Sequence, residues 1–303
     1  MDFPPSPECP KLEDYGDEEE TPSKPPQCIE IDDDSEDESL ASLTTPYISL
    51  PLPPISPQQE EEIASIPAVA QVMKTIKTPP GFPPLTPQMI NLIYEAKKGE
   101  GKEVIIKKGD VLISKENLRA LTGGGDLSDA ESGGFLRLLE ERAEAKSDEL
   151  PTVHALTSVF VFSLKTKGYQ KPRQRKVNIF DYRYILCPVN VYRKHWTLAV
   201  IDNRRKTIFY YDSLSWSDSG HIELLKKYVA AEYEDIHGSP APLYDVKIDA
   251  GVPQQVGDKD CGVFMCTFAE LHTRWAKFDF CQDHIPYLRN KMAWELLTDQ
   301  MTT

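Results

Sequence analysis

Acidic residues and prolines crowd one end of this chain, and that asymmetry decides which part of it can fold. Residues 1–80 hold 18 Asp and Glu against 4 Lys and Arg, a net charge of −14, which equals that of all 303 residues. The rest of the chain is therefore balanced, and 18 of the 25 prolines lie before residue 88. A segment of that composition buries too little apolar surface to offset its ordering entropy. Residues 1–80 are expected to form a disordered acidic tail, with the Pro-rich run 51–57 extended. The folded part is expected over residues 81–303.

The six cysteines include no Cys-x-x-Cys pair and no framework of a short secreted domain, which favours free thiols in a reducing compartment. The first residues lack the basic and apolar regions of a secretory signal, and no apolar run approaches the ~20 residues that span a bilayer. A soluble intracellular protein is expected.

Hydrophobic periodicity and capping signals place the elements. Thr86 and Pro87 start a helix whose apolar face is Met89, Leu92, Ile93 and Ala96, ending near Gly99. A short apolar run at 111–113 leads to Ser114, an N-cap for a helix through Leu121, and a Gly-rich break at 123–125 follows. Residues 134–142 read as a helix with a weak Ser-Gly-Gly start. Residues 158–165 and 184–189 read as buried strands. Residues 196–202 and 207–213 read as a hairpin joined by 203–206. Residues 221–233 read as a helix, 244–249 as a strand, and 261–275 and 285–299 as closing helices. Interspersed strands and helices argue for one α+β domain.

Three segments carry chemistry: His195-Trp196 opening one hairpin strand, Asp212-Ser213 closing its partner, and the run from Pro253 to Gly262 leading into a helix. If the hairpin pairs symmetrically about residues 203–206, residue 195 faces residue 214. Asp212 then shares a face with His195 one diagonal step away. A carboxylate there holds an imidazole in one tautomer and stabilises its protonated form. Asp260 reads as the N-cap that places Cys261 in the first helical turn, where the helix dipole and an imidazolium favour thiolate. Gly262 would let a substrate backbone approach closely. Gln255 can aim an amide N–H at a developing oxyanion. By contrast Cys187 and Cys266 read as small buried hydrophobes, and His154, His221, His237, His272 and His284 as structural or solvated. Cys281 and His284 are too close in sequence to make a convincing dyad or metal site.

At these residues the chain resembles the sentrin/SUMO-specific protease family of ubiquitin-like-protein proteases. LPTVHALTSVFVFSLKTKGYQ (150–170), KVNIFDYRYILCPVNVYRKHWTLAVIDNRRKTIFYYDS (176–213), VPQQVGDKDCGVFMCTFAE (252–270) and IPYLRNKMAWELL (285–297) match it in order and spacing. The resemblance implies a papain-like cysteine protease domain with a central mixed sheet flanked by helices. It makes Cys261 the nucleophile, His195 the base and acid, Asp212 the orienting carboxylate and Gln255 the oxyanion donor. Trp196 would form one wall of a tunnel for the modifier's C-terminal Gly-Gly, and Asp129 would meet a basic residue of the modifier. The family's second aromatic wall falls on Asp126, a departure expected to weaken or alter the hold on the substrate tail. Activity would be removal of SUMO from lysines and maturation of its precursor, with no metal or cofactor.

The implied partners are SUMO and SUMO-conjugated proteins, with no nucleic acid or membrane, for a monomer located in the nucleus and possibly also the cytoplasm. A NEDD8 or ubiquitin protease of the same fold stays open as an alternative. So does a SUMO-binding adaptor with an impaired protease domain. In the tail, Ile29 and Ile31 followed by an acidic run through Glu38 resemble a SUMO-interacting motif that could add as a strand to a sheet edge.

Overall fold

The computed structural model describes residues 54–169, 177–216, 220–249 and 251–302. Ile29 and Ile31 lie outside the described residues. Helices begin well before residue 81: α1 (Pro57–Ser65) and α2 (Pro67–Thr75) form inside the stretch expected to be disordered. Ser56 caps α1 and Pro57 opens it, while Val69 of α2 is fully buried in the core. Proline at a first helical turn costs no hydrogen bond, so composition alone misjudged these residues.

Helix α3 (Pro87–Ala96) starts at Thr86, whose hydroxyl accepts the Met89 N–H at 3.2 Å. A hairpin of β1 (Val104–Lys108) and β2 (Val111–Ser114) leads into α4 (Lys115–Thr122), capped by Ser114. Helix α5 spans Asp129–Ala145 and so starts five residues before the expected 134. Ser128 accepts the Ala130 N–H and Glu131 reaches back to the Ser128 N–H, a capping box that supplies the missing start. The helix runs through Gly133 and Gly134. A Cβ on Gly134 would lie 3.2 Å from both Ile113 and Leu296, so the gap lets α5 approach β2 and the last helix closely.

The main sheet has the order β3-β4-β5-β6-β7, formed by Val153–Ala155, Tyr184–Val191, His195–Asp202, Thr207–Tyr211 and Asp245–Ile248. The outer pairs are parallel and the inner pairs antiparallel, which makes the sheet mixed. Side chains alternate along each strand. Leu186, Leu198, Val200 and Tyr211 join a core built with α3, α4, α5, α8 (Cys261–Thr273) and α9 (Ile285–Thr298). Ile185, Cys187, Val189, Ala199 and Ile201 face a second core under α6 (Phe160–Lys167) and α7 (His221–His237). Burial on both faces explains why β4 and β5 read as continuous apolar runs.

The strand expected over residues 158–165 is the helix α6. Its Phe160, Val161 and Leu164 are buried at helical spacing, and Phe160 meets Tyr228 edge-on at 4.8 Å. A short run rich in aromatic and β-branched residues carries no decisive period, and packing under α7 settles it. Among the described residues no helix is long and apolar enough to cross a membrane.

Candidate active site

The hairpin register brings His195 and Asp212 together. Leu198 pairs with Tyr211 and Asp202 with Thr207, the symmetric pairing about residues 203–206. His195 is 1 % exposed, and its Nε2 lies 2.6 Å from Asp212 Oδ1. The same carboxylate accepts the backbone N–H of Leu214 at 2.8 Å and that of Trp216 at 2.9 Å. It is thus held by its own following loop. The other ring nitrogen, Nδ1, is buried without a hydrogen-bond partner among the described residues, and Cys261 is the second ionisable side chain that acts on the ring. Burial alone would push the imidazole pKa down. The hydrogen bond to Asp212, the charge of Asp212 and the neighbouring Cys261 outweigh it and raise the value to about 9.

Cys261 is the first residue of α8 and is buried. Asp260 holds the expected N-cap position of α8, but its side chain makes no cap hydrogen bond. Its carboxylate instead takes Arg289 through Nε at 3.0 Å and Nη2 at 2.6 Å, and Gln282 at 2.7 Å. With no side-chain cap, the positive end of the α8 dipole stays open beside Cys261.

Gln255 is buried and clamped. Its side-chain oxygen accepts the Ser213 hydroxyl at 2.7 Å, and its amide nitrogen donates to Gly257 O at 2.7 Å. An amide carries two N–H groups, so a second donor remains. Neighbouring Gln254 donates to Asp212 O at 3.0 Å and accepts from Ser215 at 2.8 Å. Together the two glutamines fix the Asp212 loop against the segment leading to Cys261.

A cleft of about 620 Å³ opens at His195 and Cys261, lined also by Asp126, Asp129, Trp196 and Trp216 among others. Trp196 is nearly buried and donates its indole N–H to Leu127 O at 3.1 Å. Asp126 forms an exposed pair with Lys259 at 2.9 Å, and Asp129 is exposed at the start of α5. Gly262, next to Cys261, packs against Leu127. A Cβ there would fall 2.7 Å from Leu127 Cβ, so the glycine admits the cleft wall itself. Away from the cleft, Cys281 Sγ lies 3.6 Å from His284 Nδ1, which also accepts the Cys281 backbone N–H. Burial drives the thiol pKa values of Cys187 and Cys266 upward, as expected of inert core cysteines.

The profile of the Ulp1 protease family, C-terminal catalytic domain, matches residues 126–300. The chain belongs to this family. The matched span begins at Asp126 and holds every cleft residue named above. Sentrin-specific protease 2 of Rattus norvegicus is 31 % identical over 211 residues, 67 % of this chain and 35 % of the relative. The ubiquitin-like-specific protease ESD4 of Arabidopsis thaliana is 30 % identical over 230 residues, 71 % of this chain and 47 % of the relative. The chain thus spans about a third to a half of these relatives' lengths. Among solved structures, the C-terminal Ulp1 protease domain in complex with Smt3, the yeast ortholog of SUMO, is similar at a TM-score of 0.62 and 25 % identity. That match covers 72 % of this chain and 98 % of the other.

Sequence reasoning missed Trp216, the clamp on Gln255 and the role of Arg289. Trp216 sits four residues past Asp212 in a short polar loop, and nothing in its spacing announces the cleft. Arg289 is one cation on a helix, and only the fold reveals what it joins.

Proposed function

We propose that this chain is a thiol-dependent hydrolase that removes SUMO from lysine side chains and matures SUMO precursors at the C-terminal Gly-Gly. The observation that carries the reading is the buried His195 imidazole, held by Asp212 through Nε2 and sharing one cleft with Cys261. Family membership supports it, as do relatives named sentrin-specific proteases and a similar domain solved with a SUMO orthologue.

In this reading Cys261 Sγ attacks the carbonyl carbon of the modifier's terminal glycine, and the carbonyl π electrons move onto oxygen. Gln255 donates its second amide N–H to that oxyanion, a contact typically worth about 3 kcal/mol. Collapse breaks the C–N bond, and the leaving lysine nitrogen takes the proton from His195 Nδ1. Water then loses a proton to Nδ1 and attacks the thioester. The C–S bond breaks and carboxylate is released. Trp196 walls the channel for the Gly-Gly tail, Asp126 flanks it, and Asp129 meets a basic residue of the modifier. The tail residues Ile29 and Ile31 provide a second SUMO contact, and the protein works in the nucleus.

The test compares wild type with Cys261→Ser on a SUMO conjugate, beside covalent labelling by C-terminally activated SUMO, NEDD8 and ubiquitin. Labelling that favours NEDD8 or ubiquitin overturns the modifier assignment. Binding of SUMO without cleavage by wild type replaces the enzyme with an adaptor.

A further inference from the structure

Trp216 is a large apolar side chain left 45 % exposed in the cleft that holds Cys261. Its ring centroid lies 4.9 Å from that of His195 at an interplanar angle of 51°. The loop is bent to put it there. Ser215 adopts a left-handed backbone with φ of 52°, which a residue with a Cβ rarely takes, and its hydroxyl is tied to Gln254 at 2.8 Å. The hydrogen bond to Asp212 comes from the Trp216 backbone N–H, so the indole is not needed for it. Nor is it needed for the core, where it takes no part. Trp196 offers the cleft little surface, being 6 % exposed. Trp216 offers much more.

The leaving nitrogen must come within about 3 Å of the imidazole that protonates it. A ring packed on that imidazole and open to the cleft therefore borders the leaving group. We propose that Trp216 is a specificity-determining platform for the leaving-group side of the substrate, receiving the methylene stem of the acceptor lysine. The indole face suits four methylenes lying flat, and it attracts the ammonium once the amine is released. The site is then biased toward isopeptide bonds over bonds with a small leaving group. This inference rests on the hydrolase reading above and extends it to the acceptor.

The experiment uses the full chain and two substrates that share the same acyl half. One is SUMO joined through its C-terminal glycine to a lysine side chain of a short peptide, and the other is the SUMO C-terminal methyl ester. The readout is the ratio of kcat/KM for the isopeptide to that for the ester. Trp216→Ala should lower this ratio about tenfold, the scale of a well-made aromatic contact, and Trp216→Phe should bring it back to within about threefold of wild type. An unchanged ratio overturns the platform, because it means the ring contributes equally to both substrates or to neither. Equal losses on both substrates would mark Trp216 as a residue that only positions His195. If wild type turns over neither substrate, the hydrolase reading fails and takes the platform with it.

Discussion

Arg289 is the side chain whose removal should damage this molecule most for its size. Its guanidinium is buried at 3 % exposure on α9, yet it reaches three other parts of the chain. Nη1 donates to Leu121 O at 2.8 Å and Gly125 O at 2.9 Å, at the end of α4 and in the glycine loop. Nη2 donates to Lys259 O at 2.9 Å and shares Asp260 Oδ1 with Nε. One fork therefore joins the last helix, the glycine loop and the residue before Cys261. Arg289→Ala would leave the Asp260 charge with Gln282 alone and take a donor from three carbonyls.

Breaking a buried pair from one side costs about 3–5 kcal/mol, against a total stability of about 5–15 kcal/mol. For a domain of this size that is a fall in Tm of about 10 °C. Arg289→Lys keeps the charge but replaces a planar fork by a point donor, and should lose about half as much. In the Arg289→Ala background, Asp260→Asn should cost about 2 kcal/mol less than it does alone, since the stranded charge is gone. Denaturant unfolding of the four proteins measures this cycle, and iodoacetamide alkylation of Cys261 reports whether the segment before it has moved. An Arg289→Ala protein within about 1 kcal/mol of wild type, or losses additive to about 0.5 kcal/mol, would refute the clamp.

Three further outcomes follow from the cleft. His195 has a folded pKa of about 9, above its ordinary 6.5, so its protonation stabilises the fold fully below pH 6.5 and ceases to as pH rises through 9. The basic limb of kcat/KM should fall near pH 9, and Asp212→Asn should move it acidward; a wild-type limb below pH 7.5 would contradict this. Gly262→Ala drives a methyl group into Leu127 and should cost about 1–3 kcal/mol in unfolding experiments, with at least tenfold lower kcat/KM because Leu127 O anchors Trp196. Wild-type stability and activity would show that the close approach is unnecessary. Asp126→Trp, which opens the exposed pair with Lys259, should raise kcat/KM on a SUMO conjugate without moving Tm. No rise would mean that the ion pair already closes the cleft as well as an indole would.

Local signals placed His195 beside Asp212 in the candidate site because that pair is local. A four-residue loop sets the hairpin register, and that register sets the distance between His195 and Asp212. Thr86 and Ser114 are caps whose hydrogen bonds reach only three residues on, so they could be read from spacing. Residues 160–167 could not, because Phe160 and Leu164 find their partners on α7, far along the chain. The same holds for charges. Lys291, 1 % exposed, sits between Glu270 and Glu295 at 3.3 and 2.8 Å, and a lysine on a helix looks like a surface residue until that pocket exists.

The aspartate at position 126 stands where the resemblance places an aromatic side chain, and the backbone around it is held without one. Among the described residues, Asp126 gives its side chain to an exposed pair with Lys259. The next residue does the holding. Leu127 is 3 % exposed, packs into the space that Gly262 leaves open, and offers its carbonyl to the Trp196 indole. Its segment is pinned from below by Arg289 on Gly125 and from above by the Ser128–Glu131 capping box. A backbone fixed at both ends does not depend on the side chain at 126 for its course. Substitution there can change what the cleft offers a substrate while leaving Cys261, His195 and Trp196 where they are.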